Sequence, residues 1–357
     1  MLPKMIDKCF LTPELAPIFS PKEDDSTQFI GLMTTVLDEH GLMTDSGVHG
    51  QRGYNSDMMF TWIGAAVDIP PKVHKLMNNL GPKIYFIRIP PQKRTHEQYL
   101  TALMNNDFNQ RRANIKSLVI DYLEWLEHAC PIMEHDDILN GSLTKMPWIP
   151  TPTTSDYDDI IDSKLYKDQK KAFDYIVRLG ILLAHLRGIT VTWNIEDTQG
   201  SNYGYAFPRK EEPDRAMQQL VNLAKGHALL IGRNYVTTKD DLPLIIKVVL
   251  SSAPLERVTI FDVLLNHNGK LTVNEITKAL GVSEPTARRT TTELKALGLV
   301  DMDMIECKCS DDITRELLQI KLKDEFSWFI SDEFKKLREG FTPSTEEERE
   351  AMKEKNP

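Results

Sequence analysis

Six polar side chains between positions 283 and 295 could donate hydrogen bonds to phosphate groups or to the edges of bases. Arginine and lysine pair with phosphate oxygens and with guanine, while serine and threonine donate to phosphates and to several bases. The six are Ser283, Thr286, Arg288, Arg289, Thr292 and Lys295. Their three cations are opposed by two carboxylates of the same stretch, Glu284 and Glu293, so the local net charge is only +1. That charge predicts a weak electrostatic attraction to a phosphate backbone.

Two predicted helices position these side chains. In the first helix Val273, Ile276 and Leu280 repeat at helical spacing, and Gly281 can end it by adopting a positive φ. Ser283 is a favourable N-cap for the second helix. That helix turns one apolar face inward, made of Ala287, Thr290 or Thr291, Leu294 and Leu297. The pattern predicts a helix-turn-helix in which most of the six polar residues point outward.

Two strand-like segments follow the second helix. Residues 299–307 form the first, and the alternation of Leu318, Ile320 and Leu322 predicts the second. Two helices followed by a strand pair resemble the winged-helix family. The resemblance implies that the second helix lies in a DNA major groove, with its first residues at the base edges. Winged helices also serve as protein–protein interaction modules, so both functions stay open.

The composition describes a globular chain of two or three domains. Of the 357 residues, 41% are hydrophobic and 27% charged, and the formal net charge is −9. An acidic chain needs a local basic surface to bind DNA. Because no apolar run has membrane-spanning length and the N-terminus is not a secretory signal, we expect a cytoplasmic protein without a membrane partner. Neither the four cysteines nor the nine histidines have metal-binding spacing, so no metal site is predicted.

The chain before residue 253 begins with alternating strand and helix patterns and then becomes helical. Three apolar strand candidates, at 8–11, 58–67 and 83–89, are separated by helical segments, and this order predicts a parallel sheet. The predicted fold class is therefore α/β and mostly helical. Further helices are predicted at 95–128, 168–187, 213–231 and 240–251, with a polar loop at 198–212.

The stretch 212–242, EPDRAMQQLVNLAKGHALLIGRNYVTTKDDL, resembles the lid helix of AAA+ ATPases of the MoxR-like and MCM-like groups. In that family the arginine after the proline is the second sensor, which contacts the γ-phosphate of ATP. The matching residue here is Arg215. Lys83 falls where the family often has an arginine finger, and Arg88 is the alternative. The resemblance implies that these residues act on a bound nucleotide.

The resemblance also assigns roles within the first 94 residues. Glu14 follows a segment at the place of the Walker B strand, which implies a general base, although Thr12 replaces the expected metal-binding aspartate. Thr61, or else Asp68, takes the place of the first sensor. The loop SGVHGQRGY lies where helicase-like members carry a DNA-contacting hairpin. Its tip residues would be His49, Gln51, Arg52 and Tyr54.

One ATPase element has no counterpart in the chain. No GxxxxGK[ST] motif occurs, and that loop holds the phosphates and, through its hydroxyl, Mg²⁺. The resemblance therefore implies the C-terminal portion of a helicase-like, replication or mobile-element motor that does not hydrolyse ATP alone. ATP and Mg²⁺ would bind only if a partner or a missing N-terminal segment supplied the loop. The AAA+-like part would then form a homo- or hetero-oligomer.

Three functions thus remain open from the sequence. The leading one is the DNA-binding C-terminal part of an AAA+ ATPase, and DNA is then the expected partner. The alternatives are a non-enzymatic winged-helix DNA-binding regulator and a protein-interaction scaffold. The predicted segments are a partial AAA+ core with a parallel sheet (1–94), a helical connection and linker (95–160), an all-helical lid subdomain (161–252), a winged-helix domain (253–324), and a C-terminal helix with a charged, disordered tail (325–357).

Overall fold

A computed structural model describes most of the chain. The described residues are 8–19, 30–31, 35–36, 42–46, 50–54, 60–71, 73–74, 84–89, 95–104, 107–129, 164–195, 202–233, 235–308 and 314–340. The helices among them are α1 (Ala16–Phe19), α2 (His96–Met104), α3 (Phe108–Ala129), α4 (Lys164–Arg187), α5 (Pro213–Leu230), α6 (Leu242–Ser251), α7 (Leu255–Asn266), α8 (Val273–Leu280), α9 (Glu284–Ala296) and α10 (Asp332–Glu339), with a 3₁₀ helix at Asp324–Ile330. None of the described helices is long and apolar enough to cross a bilayer.

Short strands complete the fold. They are β1 (Cys9–Thr12), β2 (Leu42–Ser46), β3 (Gly50–Tyr54), β4 (Thr61–Gly64), β5 (Thr192–Asn194), β6 (Tyr203–Tyr205), β7 (Lys270–Thr272), β8 (Val300–Lys308) and β9 (Thr314–Leu322). Strands β1 and β4 pair in parallel, whereas β2–β3 and β5–β6 are antiparallel pairs. The chain is therefore a mostly helical α/β protein with small sheets.

The described residues fall into two compact units. The first contains 1–87, 177–220 and 246–357, and the second contains 88–176 and 221–245. In the first unit the β1–β4 pair covers a small core with Leu15, Phe19 and Phe86. The Phe86 backbone N–H donates to the Ser252 hydroxyl oxygen over 2.8 Å, so this core is joined to the end of α6.

A buried carboxylate organises the second unit. Asp241 has no exposed surface and accepts hydrogen bonds from the Arg233 guanidinium at 3.0 and 3.1 Å and from the Thr237 backbone N–H at 2.7 Å. The His227 ring nitrogen lies 2.7 Å from the same carboxylate. A buried charge is tolerated when it is paired and fully hydrogen-bonded. The Arg233–Asp241 ion pair thus has a structural role. It lies in the segment GRNYVTTKDDL, which the resemblance assigned to the ATPase lid.

The C-terminal part of the first unit contains a three-stranded antiparallel sheet in the order β7–β9–β8. Helix α7 precedes it, and the 3₁₀ helix follows it. Phe261 of α7 meets Phe329 edge-on at 5.9 Å, and Phe329 meets Phe334 of α10 at 5.0 Å. Edge-to-face aromatic pairs of this kind add to the stabilisation from burial alone. They fix the last helix against α7.

Four outcomes follow for the predicted elements. The helix-turn-helix and its strand pair are confirmed, at α8, α9, β8 and β9. The third strand of the parallel sheet was wrong, because residues 84–89 have no regular secondary structure and the described parallel sheet is a single strand pair. The partial AAA+ core with a parallel sheet, predicted for residues 1–94, is not shown. The polar loop at 198–212 was wrong in part, because residues 203–205 form β6.

Candidate nucleic-acid interface

Helix α8 begins with a reciprocal cap. The Thr272 hydroxyl oxygen accepts from the Glu275 backbone N–H, and the Glu275 carboxylate accepts from the Thr272 backbone N–H at 2.7 Å. This capping box satisfies two N–H groups that a helix start leaves free. The hydrogen bonds from the Thr272 backbone and hydroxyl lower the pKa of Glu275. At the other end Gly281 adopts φ 65°, which turns the chain toward α9.

The first turn of α9 uses two of the predicted contact residues as its cap. Ser283 is the N-cap, with the Thr286 backbone N–H 3.4 Å from its hydroxyl oxygen and the two hydroxyls 2.8 Å apart. Both side chains remain exposed. Hydroxyls can both donate and accept, so the pair can hold the helix start and still meet a phosphate at the N-terminal dipole.

The inner face of α9 packs into the domain as the sequence pattern predicted. Ala287, Leu294 and Leu297 have no exposed surface, and Thr290 and Thr291 are buried beside them. The buried Thr291 hydroxyl donates to the Ala287 carbonyl at 2.8 Å, so its burial leaves no hydroxyl hydrogen without a partner at this position. The opposite face is therefore the one available to a ligand.

Arg288 is committed to an ion pair within its own helix. Its guanidinium lies 2.8 Å from the Glu284 carboxylate, one helical turn earlier, and its side chain is 21% exposed. A paired arginine donates fewer hydrogen bonds to a phosphate or base unless the pair opens. Glu284 also places a negative charge at the helix end that should approach DNA.

Two cations of α9 are free of such pairing. Arg289 and Lys295 are exposed, and neither has a hydrogen bond or ion pair to any residue that the structure describes. Lys295 lines a cleft of about 270 Å³ together with Arg288 and residues of the β5–β6 hairpin. Arg289 and Lys295 are therefore the cations of α9 that can bind a phosphate without first breaking an ion pair to a described residue.

Thr292 was predicted as a DNA contact, but the structure buries it. Its residue surface is 7% exposed, and its hydroxyl donates to the Arg288 carbonyl at 2.8 Å. The cause is the β5–β6 hairpin, which packs against α9 on this side. Tyr203 and Tyr205 of β6 line the cleft beside Thr292. The hairpin therefore flanks the C-terminal half of the outward face, where Thr292 is buried and Lys295 stays exposed, and it leaves the N-terminal half open.

One arginine fixes α9 to its surroundings. Arg257 of α7 is 8% exposed and its Nε donates to the Glu293 carboxylate at 3.0 Å. The same guanidinium donates to the Leu186 carbonyl at 2.9 Å and the Gly188 carbonyl at 2.6 Å, at the end of α4. Removing one partner of a buried, hydrogen-bonded pair leaves the other charge uncompensated. Sequence reasoning missed this link because the partners are distant along the chain.

The described part of the wing is acidic. Strands β8 and β9 expose four carboxylates, Asp301, Asp303, Glu306 and Glu316. Lys321 is the cation among the described side chains of these strands. Its Nζ lies 3.2 Å from the Asp324 carboxylate. Glu306 and Glu316 are opposite each other in the strand register. Like charges in this arrangement repel a phosphate backbone. The side chains of Lys308 and Arg315, nearer the wing turn, lie outside the described set.

The residues assigned by the ATPase resemblance are dispersed over other elements. Glu14 is exposed and accepts from the Ala16 backbone N–H at 2.9 Å, as a cap for α1. Thr61 is exposed at the start of β4, and Arg215 is exposed in the first turn of α5. Gln51, Arg52 and Tyr54 belong to β3, where the backbone alone is described, while His49 and Lys83 lie outside the described residues. Their nucleotide and DNA roles stay predictions.

A buried polar cluster lies in the first unit, between residues 84–86 and the end of α4. The Arg187 guanidinium stacks on the Tyr85 ring at 4.9 Å, and burial raises the pKa of Tyr85 to about 12. Burial also raises the pKa of the Glu211 carboxyl, against the attraction of Arg187. Desolvation disfavours the charged form of each acid.

Comparison with known proteins bears on the helix-turn-helix. A family model described as the IclR helix-turn-helix domain matches residues 257–303. This segment is an IclR-type helix-turn-helix DNA-binding domain. It begins in α7 and ends in β8, so it contains both capped helices and the Arg257–Glu293 link. No curated protein and no solved structure matches the chain. The AAA+ ATPase prediction therefore gains no support from any comparison.

Proposed function

We propose that the chain is a non-enzymatic DNA-binding regulator that reads duplex DNA with α9. The observation that carries this proposal is the IclR-type helix-turn-helix match at 257–303, on a helix whose outward face holds the exposed cations Arg289 and Lys295. In helix-turn-helix proteins the N-terminal residues of the second helix contact base edges. Binding of ATP and Mg²⁺ stays a prediction of the ATPase resemblance and is no part of this proposal.

The geometry favours an approach through the start of α9. Ser283, Thr286 and Arg289 lie on the uncovered N-terminal half, whereas the hairpin flanks the half that contains Thr292 and Lys295. The positive end of the helix dipole also faces that way and favours a phosphate. We therefore assign Arg289 to base edges or phosphate and Lys295 to the phosphate backbone at the rim.

The test measures duplex binding by fluorescence anisotropy at several salt concentrations. The labelled duplex is first selected from a random-sequence pool by the full-length chain. We expect Arg289→Ala/Lys295→Ala to weaken binding about tenfold or more and to reduce the salt slope by about 2, because each lost phosphate contact accounts for about 1. Circular dichroism should show an unchanged fold, because both residues are exposed.

Lys336→Ala is the matched control. Lys336 is an exposed cation on α10, outside the helix-turn-helix, and its removal tests the effect of net charge alone. Its salt slope should equal that of the wild type. A double variant that binds duplex as the wild type does at every salt concentration would refute a DNA-reading role for α9, and the domain would then be better explained as a protein-interaction module.

A further inference from the structure

Helix α3 in the second unit exposes an apolar stripe at its middle. Ile115, Leu118 and Val119 are 61%, 67% and 50% exposed, and they recur at the three- and four-residue spacing that places them on one face. The helix has 22 residues. Helices in water gain most of their stability from packing such a face against another element. Among the described residues nothing covers this stripe.

The second half of the same helix is anchored. The Tyr122 hydroxyl donates to the Leu230 carbonyl at the end of α5. Trp125 meets the Tyr122 ring at 5.7 Å and lies beside Gly232. These contacts hold α3 in a fixed position, so the stripe is presented by an ordered helix.

The charges of α3 are ordered along its length. Arg111, Arg112 and Lys116 precede the middle of the stripe, and Asp121 and Glu124 follow it. This order is the reverse of what the helix dipole favours. Arg112 and Lys116 are four residues apart, where like charges destabilise a helix. None of the five has an ion pair within the described part of the chain.

We propose that a second copy of this chain covers the stripe, with the two α3 helices packed antiparallel. A two-fold axis near Leu118 and Val119 makes the surface self-complementary, as in an isologous dimer. The basic half of each helix then lies against the acidic half of the other, so the unfavourable charge order of a single helix becomes attractive. A parallel pair would instead place the cations together and the carboxylates together.

The first measurement is the mass of the full-length chain in solution by light scattering or sedimentation. We expect a dimer in the micromolar range, and Leu118→Glu should convert it to a single chain. The matched control is Leu165→Glu, at another exposed apolar helix position, which is 46% exposed in α4. A monomeric wild type, or a dimer that survives Leu118→Glu, overturns the proposal. A monomeric wild type in which the stripe is nevertheless shielded from solvent would show that another part of the same chain covers it.

The second measurement tests the charge pairing. Arg112→Glu/Lys116→Glu and Asp121→Lys/Glu124→Lys should each be monomeric, because the first gives α3 a large excess of negative charge and the second a large excess of positive charge. An equimolar mixture should form the heterodimer, since one helix is then acidic and the other basic. Failure of the mixture to associate, while both variants keep their helical content by circular dichroism, contradicts the proposal.

The third measurement decides the orientation. In a background with Cys9, Cys130, Cys307 and Cys309 replaced by serine, Leu118→Cys should form disulfide-linked dimers, because it lies at the proposed axis. Arg111→Cys should not, because an antiparallel pair separates the two copies of that position. A disulfide needs Cα atoms within about 7 Å. Equal cross-linking of both variants would establish a parallel pair and reject the antiparallel one.

Discussion

Arg288 and Arg289 are adjacent in sequence but differ in what they can offer a ligand. Arg288 is paired with Glu284 at 2.8 Å, whereas Arg289 is exposed and has no partner among the described residues. An exposed ion pair one turn apart contributes only about 0.3–0.5 kcal/mol to stability. The pair therefore matters less for folding than for the charge that α9 presents to DNA.

Glu284→Gln tests this difference at the residue scale. The substitution removes a negative charge from the DNA-facing end of α9 and frees the Arg288 guanidinium. We expect tighter duplex binding and a salt slope steeper by about 1, measured by anisotropy across salt concentrations. Asp332→Asn removes an exposed carboxylate from α10, outside the helix-turn-helix, and is the control for net charge. Equal gains from both variants would mean that Glu284 acts only through the overall charge.

At the scale of the element, the joint between α4 and α9 depends on one glycine. A Cβ at Gly188 would overlap the Leu297 side chain, which has no exposed surface. We expect Gly188→Ala to lower the free energy of unfolding by about 1–3 kcal/mol, because overpacking in a filled core forces neighbours to shift. The measurement is the midpoint of urea unfolding.

Gly226→Ala is the opposite case and serves as the control. Gly226 lies within α5, and a Cβ there would meet no atom within 4 Å. Alanine in an exposed helical position should raise stability by roughly 0.5–1 kcal/mol. If both variants shift the midpoint in the same direction, the close approach of Gly188 to Leu297 does not determine the stability of the Gly188→Ala variant.

The elements that sequence predicted are those whose signals are local. The Thr272 capping box, the positive φ of Gly281 and the Ser283 N-cap all lie within a short stretch, so the helix-turn-helix was recognisable. The β5–β6 hairpin was not, because its strands have three residues each and are stabilised by packing against α9. The burial of Thr292 follows from that packing, so helical periodicity alone assigned it to the wrong surface.

At the scale of the whole molecule, helix α9 is not an independent module. The β5–β6 hairpin comes from the segment 177–220, far from the helix-turn-helix in sequence, yet it belongs to the same compact unit and packs on α9. Trp193 and Tyr205 of the hairpin are 51% and 42% exposed, and Tyr205 lines the cleft that also contains Thr292. A groove that received all of α9 would have to accommodate the hairpin as well.

Replacing residues 191–207 with a short Gly–Ser turn tests whether the hairpin limits access. The ends are already held together, because Ile189 and Arg209 exchange backbone hydrogen bonds at 2.8 Å. We expect duplex affinity to rise, since the buried Thr292 becomes accessible, the hairpin no longer flanks the exposed Lys295, and the carboxylates of Glu196 and Asp197 are removed from the chain. Anisotropy against the selected duplex and against a random duplex measures the change.

Combining the same replacement with Arg289→Ala distinguishes better access to α9 from non-specific binding of DNA elsewhere on the chain. If the hairpin only covers the helix, the combined variant should lose most of the gained affinity, because binding still depends on α9. Circular dichroism and urea unfolding show whether the shortened chain keeps the helix-turn-helix. If the variant without the hairpin is folded but binds duplex more weakly than the wild type, the hairpin does not limit access to α9. The exposed Trp193 and Tyr205 would then contact the DNA themselves.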